Sequence, residues 1–110
     1  MDANLLESAQ KIATELQNSN LYKEYKKNKE ALENDPLLLE RVRAFKKMQL
    51  EFESKRLTNS NLSFEEEKRI AHQYTELSLS PVAADFLSCE YELLDTYRQI
   101  VDTIYEGFTK

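Results

Sequence analysis

The chain has 110 residues, of which 41% are hydrophobic and 32% charged, with a single Gly, two Pro, one Cys, one His, no Trp and a net charge of −5. That balance excludes a disordered chain, a membrane span and two separate domains, so residues 1–110 are expected to form a single helical domain. One Gly also argues against hairpins, phosphate loops and nucleophile elbows, which draw on Gly for backbone shapes other residues resist.

Helical spacing of apolar residues and cap chemistry predict five helices, at about 3–18, 20–33, 36–57, 64–78 and 81–106. In the first, Leu5, Ala9, Ile12 and Leu16 make one face, and Asn18, Ser19 and Asn20 then favour a cap or a kink over a helix interior. Leu21, Tyr25 and Leu32 line the second. Asp35 followed by Pro36 predicts a new start, because Asp caps free N–H groups and Pro at the first helical position needs no donor. Leu38, Val42, Phe45 and Phe52 line the third helix, with Gln49 in the same stripe as a hydrogen-bonding residue of the core or of a subunit contact. Thr58 through Ser63 reads as a loop, and Ser63 with Glu66 as a capping box opening the fourth helix, lined by Ile70, Tyr74 and Leu77. Ser80–Pro81 repeats the cap-plus-proline signal, and Gly107 is placed at the C-terminal end of the fifth helix.

The fifth segment has the clearest pattern. Val82, Phe86, Cys89, Leu93, Tyr97, Ile100, Ile104 and Phe108 recur every eleven residues, and Ala83, Leu87, Leu94, Val101 and Tyr105 form a second row. The combined arc of about 160° is wider than a one-sided helix needs. Leu39, Leu50 and Leu57 make a similar second row on the third helix. The expected architecture is an all-α antiparallel bundle with long third and fifth helices that associates with itself as a homodimer or higher. Its candidate interface is Leu39, Leu50, Leu57, Leu87, Glu90, Leu94, Val101 and Tyr105. Glu90 interrupts the apolar arc, so it needs either a cation from a neighbouring helix or a contact across an interface.

Residues that would carry chemistry are sparse. His72 lacks the Glu-x-x-His spacing of a bundle metal site and reads as a surface imidazole. Cys89 lies on the core stripe with no cation within a turn, which suits packing better than nucleophilic attack. Glu65, Glu66 and Glu67 suit the positive end of a helix. No catalytic residue, cofactor or metal is expected, and the chain is not expected to be an enzyme. A basic stretch between acidic ends, with Lys23, Lys26, Lys27, Arg43, Lys46 and Lys47, is the best candidate for RNA contact. Interspersed acids favour solvated helix faces there, so nucleic acid is the alternative partner. The N-terminus has an acidic residue where a secretory signal would be basic, which points to the cytoplasm.

The segments AQKIATELQNSNLYKEYKKNKEALENDP, VRAFKKMQLEFESKRL and SPVAADFLSCEYELLDTYRQIVDTI together resemble the YlbF/YmcA family of small helical Firmicute regulators, also called the control-of-competence family. The resemblance runs from about Leu5 to Phe108. It implies a self-associating, non-enzymatic adaptor or regulator acting through protein partners, among proteins that influence competence, biofilm formation and sporulation. Some of these act with ribonuclease Y, which makes a regulatory or RNA-processing protein an expected partner. Some carry a cysteine-bearing C-terminal extension that holds iron–sulfur clusters. With Cys89 as its one cysteine, this sequence is expected to be the short form without that extension.

Overall fold

The computed structural model describes residues 2–58 and 63–110. Within them the chain is all-α, with five helices and no strand: α1 (Ala3–Gln17), α2 (Asn20–Glu33), α3 (Pro36–Leu57), α4 (Phe64–Leu77) and α5 (Pro81–Thr109). Helix boundaries follow side-chain chemistry. The Asp2 carboxylate accepts from the Asn4 N–H at 2.8 Å, starting α1. Ser19 separates α1 from α2: its hydroxyl donates to the Leu16 carbonyl at 2.6 Å and accepts from the Tyr22 N–H at 3.2 Å. The polar cluster is therefore a break rather than a kink.

Asp35 accepts from the Leu38 N–H at 3.2 Å, with Pro36 opening α3 as its sequence position predicts. Replacing Asp35 by Ala removes that acceptor and is expected to cost about 1 kcal/mol of stability, whereas Asp35→Asn should cost far less. Urea midpoints of the two variants against the parent check this. Ser63 accepts from the Glu66 N–H at 3.1 Å, while the Glu66 carboxylate receives Lys55 Nζ from α3 at 3.2 Å. Of the expected loop, Asn59 through Leu62 lie outside the described residues. Ser80 accepts from the Ala83 N–H at 3.4 Å at the start of α5. Gly107 does not end α5, which continues to Thr109. It takes an ordinary helical conformation in the last turn, with open space where a Cβ would stand.

The chain divides into two compact units, residues 1–29 with 86–110, and residues 30–85; the divisions fall inside α2 and α5. In the second unit α3 packs on α4, and Leu32, Leu38, Val42, Phe45, Leu77 and Ala83 are buried. The Phe45 and Tyr74 rings lie 5.9 Å apart in a tilted arrangement. In the first unit Phe86 is buried, with its ring 5.8 Å from Tyr25, which in turn lies 6.2 Å from Tyr22.

Periodicity overstated this core in three places. α1 has no buried residue: Leu5 is exposed, and only Ile12 and Leu16 of its apolar face are half-buried. Gln49 is exposed, so of its two expected places the core of the chain is not the one it takes. On α5 the eleven-residue stripe is covered at Phe86 and partly at Cys89, Leu93 and Ile100, but Tyr97, Ile104 and Phe108 are open. A regular apolar row establishes that a helix face is apolar, not that something within the same chain lies against it.

Candidate interaction surface

The chemistry-bearing residues of the sequence are divided between the two units. His72 Nε2 lies 3.1 Å from Glu76 Oε1 one turn along α4, with its imidazole largely in solvent. Glu65 and Glu67 are exposed in the first turn of the same helix. Cys89 is half-buried, and the Asn28 amide of α2 donates to its Sγ at 2.9 Å. Sequence reasoning missed Asn28. Its signal was an Asn inside a helix, where that residue is poorly suited unless its amide has a partner. Among the described residues no three His, Cys, Asp or Glu side chains cluster as metal ligands. A crevice of about 130 Å³ between α3 and α4 is lined by Met48, Phe52 and Ile70 together with Glu51, Lys55, Glu66 and Arg69. Lys55 and Glu66 are already paired there.

The predicted basic residues are divided between the units. Lys23, Lys26 and Lys27 are exposed in the first, and Arg43 and Lys47 are exposed in the second with Lys46 half-buried. The predicted interface residues divide likewise. Leu39, Leu50 and Leu57 belong to the second unit, where Leu39 is half-buried and the other two are 71% and 80% exposed. Leu87, Glu90, Leu94, Val101 and Tyr105 lie together on α5 in the first unit; Leu87 and Glu90 are half-buried and the rest exposed.

Exposed apolar area is the feature that stands out. Among the described residues seven hydrophobic side chains are buried, while fifteen large ones are exposed. Seven of those fifteen are Tyr91, Leu94, Tyr97, Val101, Ile104, Tyr105 and Phe108, from 44% exposed at Val101 to 71% at Phe108. At 3.6 residues per turn they share an arc of about 140°. Asp95, Asp102 and Glu106 border this arc, and Arg98, the one basic residue within it, pairs with Asp95 at 3.5 Å. Isolated exposed hydrophobics are ordinary; a contiguous strip marks an interaction surface. Among the described residues no helix is long and apolar enough to cross a membrane.

Comparison with known proteins places the chain in a family. Residues 5–109 match the family described as control of competence regulator ComK, YlbF/YmcA. A UPF0342 protein of Caldicellulosiruptor saccharolyticus is 34% identical over 104 residues, covering 94% of this chain and 87% of the relative. One from Caldicellulosiruptor bescii is 33% identical, covering 92% and 88%. A UPF0342 protein of Desulfitobacterium hafniense is 26% identical over 82% of this chain and 73% of its own. No solved structure matches the chain. The family match takes in all five helices, including the open strip on α5, and the chain belongs to the YlbF/YmcA control-of-competence family.

Proposed function

We propose that the protein is a non-enzymatic adaptor of the cytoplasm that regulates by self-association and by binding other proteins. The observation that carries this reading is the apolar strip of α5, in a chain whose described residues expose more large hydrophobic side chains than they bury. A helix face of that kind is costly to leave in water and gains from a complementary face. The second row of α3, at Leu50 and Leu57 in the other unit, is likewise exposed and can take a partner. The family description supplies the biological setting, control of competence, and the resemblance to proteins acting with ribonuclease Y makes an RNA-processing protein the partner class of choice.

Genetic complementation tests the reading. Deletion of the gene in its native cell is expected to change transformability, and the wild-type gene to restore it. A gene encoding Leu94→Glu with Val101→Asp should fail to restore it at equal protein level. Full restoration by that variant would show that the α5 strip is dispensable for regulation.

A further inference from the structure

α5 carries two different repeats on adjoining faces. Its covered side uses Phe86, Cys89, Leu93 and Ile100. Its open side runs Tyr91, Leu94, Arg98, Val101, Tyr105 and Phe108, with steps alternating between three and four residues. That alternation is a heptad repeat, the spacing that keeps one strip of a helix against a like strip of another through a left-handed supercoil. Four aromatic rings of roughly 200 Å² each, more than half open, together with Leu94, Val101 and Ile104, expose about 800 Å², the area each partner contributes to a standard interface.

We propose that a second copy of this chain docks antiparallel on the strip, with the two-fold axis between residues 99 and 100, and that Arg98 sets this orientation. The proposal rests on the self-association reading above and adds its geometry. About that axis Leu94 faces the partner's Tyr105, Arg98 faces the partner's Val101, and six heptad layers form. Arg98 then stands on the same edge of the interface as the partner's Asp102, while keeping its own Asp95 within 3.5 Å. One guanidinium thus bridges two carboxylates that would otherwise repel, and symmetry repeats the bridge. The opposite edge brings Tyr97 beside the partner's Ile104, both open in the free chain. A parallel pair would instead stack Arg98 on the partner's Arg98 and set Glu90 against the partner's Asp95. A charged residue at one core position and like charges along the edges are the features that select orientation in paired helices.

Disulfide trapping tests the orientation. In a Cys89→Ala background, Leu94→Cys with Tyr105→Cys should oxidise to a covalent dimer, and Leu94→Cys alone should not. Both positions are exposed in the free chain, and helical circular dichroism confirms that the variants are folded. A covalent dimer from Leu94→Cys alone, or none from the pair while light scattering still gives a dimer, overturns the antiparallel arrangement and leaves self-association standing. A monomer in the Cys89→Ala chain and in the unmodified chain overturns both. As an independent check, Asp102→Asn should weaken self-association about fivefold in the parent and hardly at all alongside Arg98→Met. An equal loss in both backgrounds removes Arg98 from its assigned role.

Discussion

Leu94→Glu combined with Val101→Asp is expected to weaken self-association by at least a hundredfold while leaving the fold of each chain intact. Both side chains are about half exposed in the single chain, so their replacement removes little packing within it. Surface substitutions of that kind usually change stability by no more than about 0.5 kcal/mol. In the associated form Leu94→Glu instead sets a carboxylate against the partner's Tyr105 within an apolar strip, while Val101→Asp replaces an apolar side chain opposite the partner's Arg98. A charge buried without a partner costs several kcal/mol, and two-fold symmetry doubles the count. A hundredfold change in the dissociation constant corresponds to only about 2.7 kcal/mol, which the two Leu94→Glu charges of a dimer readily exceed. Light scattering should report loss of the dimer, and far-ultraviolet circular dichroism should be unchanged. Equal masses for variant and parent would show that this row takes no part in assembly.

The second large effect lies in the other unit and has the opposite signature. Phe45 is 2% exposed and its ring meets Tyr74, in a core with six buried side chains among the described residues. Phe45→Ala leaves a cavity that neighbours on two packed helices fill poorly, at a cost of about 3–5 kcal/mol. Small domains have about 5–15 kcal/mol in total, so the loss removes a large share of the margin. At roughly 4–8 °C per kcal/mol for a chain of this size, a fall in Tm of more than about 12 °C is expected. Leu50→Ala on the same helix is the control: at 71% exposure it should leave Tm within a few degrees. The comparison requires one protein concentration throughout, because association itself raises Tm. Similar Tm values for the two variants would show that the core of this unit is not centred on Phe45.

The residues that fixed the helices were those with a local job. Asp35, Pro36, Ser63 and Ser80 act within four residues of themselves, so their caps could be read from the chain and appear in the structure at 3.1 to 3.4 Å. Gly107 was misread for a reason equally local: glycine is permitted in the left-handed region but not obliged to enter it, and nothing after it forces a turn. Burial was harder because it depends on partners. The periodic faces of α1 and α5 are as regular as that of α3, yet α1 buries nothing and α3 buries Leu38, Val42 and Phe45. The contact of Asn28 with Cys89 joins residues 61 apart in the chain, and no spacing rule reaches that far.

The strip on α5 was legible in part. Leu94, Val101 and Tyr105 stood out as a second apolar row, and all three are exposed. Tyr91, Tyr97, Ile104 and Phe108 were not assigned to it, because Tyr97, Ile104 and Phe108 also fit the eleven-residue stripe on the covered side. The two repeats share residues near the end of the helix, and only the cover actually provided by the chain separates them. Arg98 was passed over because it breaks an apolar row, although a polar residue at one core position is the feature that gives such a row its register.

That a second copy of this chain covers the open face of α5 can be read from the mass of the unmodified protein in solution. One chain weighs 12.9 kDa. Light scattering on a size-exclusion column at micromolar concentration should give twice that mass or a higher multiple, falling to the single-chain value for Leu94→Glu with Val101→Asp. A single-chain mass for the unmodified protein at that concentration would contradict the claim.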